Sequence, residues 1–118
     1  MKKLRLIDKP LHDTFTVTVT DPPANGGASH HYTIEPGEPC LPTHIRFQKG
    51  IVNEAGVNGV SDESLLAIII DRAEGFASGL FASADGVEAL DHMKKALDCL
   101  ERRFLDRQKR GVEGYEKT

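Results

Sequence analysis

What this chain has little of narrows the reading first. Its two cysteines, Cys40 and Cys99, stand far apart with no CxxC, so zinc is offered no thiolate pair and no disulfide is forced. Two reduced thiols are expected. Apolar runs are short, none approaching the ~20 residues of a membrane span. The basic start Met1-Lys2-Lys3-Leu4-Arg5 is not followed by an apolar run of signal-peptide length, so the chain reads as soluble and cytoplasmic, without a membrane partner. A net charge of −3 argues against a general binder of DNA or RNA, whose affinity rests on a basic surface, but leaves room for a local anion pocket.

Catalytic and phosphate-binding signatures are equally scarce. GxGxxG and GxxxxGK[ST] are missing and strands do not alternate with helices, so no dinucleotide or P-loop site is expected. No GxSxG occurs, and neither cysteine has a neighbouring histidine in sequence. His12, His30, His31, His44 and His92 show no HxxxH or HExxH spacing and no carboxylate cluster, so no metal site is expected. No cofactor follows from the residues.

What remains is ordinary in amount and informative in pattern. With 118 residues, 39% of them hydrophobic and 28% charged, the chain suits one domain over residues 1–118, β-rich over 13–55 and helical over 61–110. Residues 1–12 carry no clear period and read as an extended lead-in. From Thr14 to Thr20, Phe15, Val17 and Val19 alternate with threonines, the period of a half-buried strand. The loop Asp21 to Ala28, rich in Pro, Gly and Asn, leads to a returning strand from His30 to Ile34. Three prolines between Glu35 and Pro42 break the sheet before a third strand, Thr43 to Gln48. Lys49-Gly50 turns the chain into Ile51 to Ala55, read as a short fourth strand, and Gly56-Val57-Asn58-Gly59 makes a tight turn.

Ser61 is a good N-cap for the next segment, with Asp62 and Glu63 placed to favour the helix dipole. Leu65, Leu66, Ile68, Ile69, Ile70 and Ala73 leave this helix little polar face, so it is expected to be the more buried of two, ending near Phe76 to Gly79. Ser83 or Asp85 caps the second helix, which runs to about Arg110 before Gly111. Leu90, Met93, Leu97, Leu100 and Phe104 recur at spacings of three and four on it, one apolar stripe in need of a partner. The short link between the helices predicts an antiparallel hairpin. The fold class expected is α+β, a small antiparallel β-sheet in the N-terminal half packed with a C-terminal antiparallel helical hairpin.

The strongest polar feature is the end of the second helix. Arg102, Arg103, Arg107, Lys109 and Arg110 suit a helix C-terminus through the dipole alone. Arginine nevertheless dominates the group, and its planar fork suits bidentate phosphate binding. Arg103, Arg107 and Arg110 also share one side of the helix and could converge on one ligand. The Asn58 turn feeds a helix N-terminus, where free amides attract anions, although a plain structural turn explains it as well.

IRFQKG, EAGVNGV, ESLLAIIIDR, GLFAS, EAL and RRFLDRQKRGVEG, with GGASHHY nearer the start, together resemble the phage-encoded Thoeris anti-defence and anti-CBASS sponge proteins. That resemblance covers most of the chain. It implies a binding protein rather than an enzyme, one that sequesters cyclic nucleotide second messengers without cleaving them: cyclic ADP-ribose isomers from Thoeris and, in some members, cyclic di- and trinucleotides from CBASS. It implies homo-oligomers, dimers and hexamers, built through the hairpin, and no cofactor. Carried over residue by residue, it makes Phe76 the aromatic that stacks on adenine and Arg103 the arginine that holds the diphosphate, with Arg107 and Arg110 beside it and Asn58 in the GVNG turn as further ligand-binding residues. Departures are Ser83-Ala84-Asp85-Gly86 where the family has Cys-Arg-Glu-Asn, Phe104 for a threonine, and Tyr115-Glu116 after Gly114. Two alternatives stand beside this reading: a phosphodiesterase-like enzyme acting on the same messengers, and a structural, protein-binding module whose arginines merely solvate a helix end.

Overall fold

A computed structural model describes residues 2–4, 14–24, 26–50 and 52–109. The chain is α+β and divides into two compact units between Val60 and Ser61. The first is a four-stranded antiparallel sheet, β1 (Lys2–Leu4), β2 (Thr16–Val19), β3 (His31–Glu35) and β4 (Thr43–Arg46), in that spatial order. Alternation decides its faces. Leu4, Val17 and Ile34 share one rung, and Val19, Tyr32 and Ile45 another, on the same side. Val19 is the buried centre at 5% exposure, and Tyr32 meets Phe47 edge to face at 5.6 Å. The opposite side is polar, with Lys3, Thr18, Thr33 and His44 in one row, and the Thr33 hydroxyl lies 3.0 Å from His44 Nδ1.

Two sequence expectations change here. The lead-in contributes a strand, because Lys2–Leu4 pairs with β2; alternation is invisible in three residues, two of them lysines at a sheet edge. The expected strand at Ile51 to Ala55 is instead a helical turn, α1 (Val52–Ala55). Its cause is local. Gly50 and Gly56 both take positive φ, 87° and 72°, and the Gln48 side-chain amide donates to both their carbonyls, at 3.3 and 2.8 Å. With its two ends tied to one side chain, the segment must curl. Beyond it, Val60 runs parallel to Phe47, bonded through Val60 N–H to Arg46 O and Gln48 N–H to Val60 O. The β2–β3 loop is held by Asp21, whose carboxylate accepts from the N–H groups of His30 (3.0 Å) and His31 (2.9 Å).

The second unit is two helices packed on one another, α2 (Asp62–Ala77) and α3 (Ala84–Lys109). Ser61 caps α2 as its sequence indicates, through a reciprocal box in which its Oγ accepts from Ser64 N–H and its own N–H donates to Ser64 Oγ, both at 3.1 Å. Of the two cap candidates for α3, Ser83 is the one used, accepting from Gly86 N–H at 3.0 Å. Arg110 and Gly111 lie outside the described residues. An ion pair from Lys94 to Glu74, 3.3 Å, ties the helices, and Asp91 pairs with Lys95 at 2.9 Å along α3.

The burial of α2 departs from expectation. Ile70 is its buried residue, while Ile68 (59% exposed) and Ile69 face solvent. One partner helix covers only one stripe of a helix whose apolar residues run round much of its circumference. On α3 the stripe behaves as its spacing indicates at the hairpin end, where Leu90 is buried and Met93, Leu97 and Leu100 are half-buried, and it fades at Phe104, which is exposed.

Candidate functional site

The arginine-bearing end of α3 owes its position to unequal helix lengths. α3 has 26 residues and α2 has 16, so α3 is ten residues longer, about 15 Å at 1.5 Å per residue. Its last turns carry Arg102, Arg103, Arg107 and Lys109, where the helix dipole favours cations. Arg103 is exposed. Arg107, one turn on, is buried at 9% exposure, so the two share a side of the helix yet differ in access to solvent. Arg102 turns elsewhere and donates to Cys99 Sγ at 3.1 Å. A shallow, open depression at this end is lined by Arg102, Leu105, Asp106, Gln108 and Lys109, and by neither Arg103 nor Arg107.

Phe76 belongs to the other end of the hairpin. It sits in the last turn of α2 at 51% exposure, with the Arg72 guanidinium 5.6 Å from its ring centre. Helical side chains lean toward the N-terminus, so residue i+4 lies over residue i and the Arg72–Phe76 spacing suffices to produce this contact. That spacing was available in the sequence, and Arg72 is the residue near Phe76 that sequence reasoning passed over. The Glu74–Lys94 pair marks the register of the hairpin, with Phe76 abreast of about residue 92 of α3. The remaining eleven residues to Arg103 and the spacing between packed helices place the two roughly 20 Å apart. One chain does not bring Phe76 and Arg103 together.

Asn58 lies in the first unit, and its side chain is occupied. Its Oδ1 accepts from Lys49 N–H at 2.9 Å, its Nδ2 donates to Lys49 O at 2.8 Å, and its own N–H donates to Gln48 Oε1 at 2.9 Å. Gln48 and Asn58 thus clasp each other's backbone neighbourhood across the α1 loop. Next to them, a side chain at Gly59 would land on the Arg46 carbonyl oxygen and lie 2.7 Å from Gln48 N. The GVNG turn therefore closes a loop, which was legible as a turn, but its partner Gln48 was not.

Cys40 and Cys99 are free and exposed. Among the described residues no three His, Cys, Asp or Glu side chains gather as metal ligands would, and no helix is long and apolar enough to cross a membrane.

No protein-family model matches the chain. The chain is similar to a protein of Bacillus phage SBSphiJ7 named Thoeris anti-defense 1, with 37% identity over 89 residues. That stretch is 75% of this chain and 62% of the phage protein, so the chain spans about three-fifths of the relative's length. Identity at that level over most of the chain reflects common descent. Over the stretch the two share, the chain is a relative of this phage protein.

Proposed function

We propose that this protein is a phage anti-defence sponge, which binds a cyclic nucleotide immune messenger without cleaving it and so keeps it from its effector. The messengers are cyclic ADP-ribose isomers of Thoeris and, by the same phosphate and base chemistry, cyclic di- or trinucleotides of CBASS. The likeness to Thoeris anti-defense 1 carries this reading. Chemistry of the right kind supports it: Arg103 is exposed on the arginine-rich end of α3 and can make charge-assisted bonds to phosphate, and half-exposed Phe76 can stack on a base.

Because Phe76 and Arg103 of one chain are roughly 20 Å apart, a ligand touching both takes them from two copies. A homo-oligomer would also cover Ile68 and Ile69, which one chain leaves in water. Sequestration at low messenger concentration calls for nanomolar affinity, about −12 kcal/mol, within reach of two phosphates and a stacked base in an enclosed site. The test is to mix the protein with cyclic ADP-ribose isomers and cyclic oligonucleotides, remove free ligand, and heat. Intact messenger released from the denatured protein is the expected result; time-dependent appearance of a linear product refutes sequestration and favours the phosphodiesterase alternative. Arg103→Ala should lose about 2 kcal/mol of affinity, roughly 30-fold, by calorimetry. Unchanged affinity would leave the arginines as mere solvation of a helix end.

A further inference from the structure

Phe76 is placed to stack on a base, and Arg103, roughly 20 Å away on the same chain, reaches that ligand from a second copy. A nucleotide's phosphate sits within one sugar of its base, so a cation of the same chain that shares in holding it must stand beside the aromatic ring. Arg72 does. Its guanidinium lies 5.6 Å from the Phe76 ring centre, both residues are exposed, and Arg72 has no ion-pair partner among the described residues. Lys94, the nearby ammonium on α3, is taken up by Glu74 at 3.3 Å.

A guanidinium at this distance is attracted to a ring electrostatically, which takes up no hydrogen-bonding partner. Its five N–H groups lie in its own plane and stay available to a phosphate in a bidentate pair. Phe76 remains 51% exposed with Arg72 in place, so ring surface is left for a base. From this geometry we infer that Arg72 and Phe76 form one binding element, in which Phe76 takes an adenine base and Arg72 takes the phosphate on that base's ribose. The element is built by a single turn of α2, whose start is fixed by the Ser61–Ser64 box, so both side chains project from a preformed helix. It selects for a base that carries phosphate over the neutral nucleoside.

This inference rests on the sponge reading, and the experiment separates the two. Full-length wild type, Arg72→Ala, Arg72→Lys and Phe76→Ala are titrated by calorimetry with cyclic ADP-ribose, and with adenosine at millimolar concentration by saturation-transfer NMR. Arg72→Ala should weaken cyclic ADP-ribose binding at least tenfold while leaving the adenosine signal unchanged; Arg72→Lys should recover part of the loss, and Phe76→Ala should weaken both ligands. Wild type that binds no cyclic nucleotide overturns the sponge reading and the inference with it. Wild type that binds, with Arg72→Ala within twofold of it, overturns the inference alone, as does equal loss of both ligands, which would mean that Arg72 only props the ring. Circular dichroism confirms that each variant is folded, and the exposed positions make that the expected outcome.

Discussion

Removing the Asn58 amide should unfasten a loop. Asn58→Ala takes away the acceptor for Lys49 N–H at 2.9 Å and the donor to Lys49 O at 2.8 Å, leaving α1 and both its flanking glycines held by Gln48 alone. A neutral hydrogen bond contributes about 0.5–1.5 kcal/mol net, and these two are near solvent, which can replace them in part. The expected loss is therefore about 1–2 kcal/mol, in the lower part of the range for two such bonds. For a unit of about 60 residues that lowers the melting temperature by roughly 8–16 °C. Asn58→Asp separates the two halves: it keeps the acceptor for Lys49 N–H but sets a carboxylate against the Lys49 carbonyl, so it should be no more stable than Asn58→Ala. Thermal melts by circular dichroism measure this, with messenger affinity titrated on the same preparations. A variant that melts with wild type and loses tenfold in affinity would refute the structural reading and return Asn58 to the ligand, the role the family resemblance implies.

Gly59→Ala should be more severe, because its new carbon meets backbone that cannot rotate away and the Val60–Arg46 and Gln48–Val60 bonds must part; a loss of about 3 kcal/mol is expected in chemical denaturation, and an unchanged midpoint would show that β4 yields more easily than its bonding implies. At Asp21, desolvation raises the carboxyl, but the N–H groups of His31 and His30 and their imidazoles outweigh it, holding it below its ordinary value of 3.8. A carboxylate depressed in the folded state contributes stability that is full above the unfolded value and lost as pH falls through the folded one, so Asp21→Asn should flatten the fall in denaturation midpoint below about pH 4. Acid curves that superimpose would contradict this.

Legibility followed the strength of local signals. β2 and β4 were readable because Val17 and Val19, and Ile45 with Phe47, alternate against polar residues, and α2 because Ser61 precedes acidic residues and an apolar run. β1 could not be read, since a strand made of Lys2, Lys3 and Leu4 exists by virtue of the β2 edge it joins. Val52–Ala55 misled because valine favours strands, and what overrules it is a tertiary tie from Gln48, eight residues from its farther partner Gly56. The candidate site divided in the same way. Arg103 and Phe76 were legible as residue types at helical spacing, but the distance between them depends on the hairpin's register, seen in the Glu74–Lys94 pair, which no one-dimensional pattern carries.

The order β1-β2-β3-β4 has a consequence for how the protein is made. Among the described residues every strand pairs with its neighbours in sequence, and α3 packs on the helix immediately before it. None of these elements waits for a distant one, so chain-closure entropy is met in small steps and their pairing topology imposes no slow search. The first unit has its described strands, and Val60 beside Phe47, before Ser61 is reached. It can close while the helices are still being synthesised.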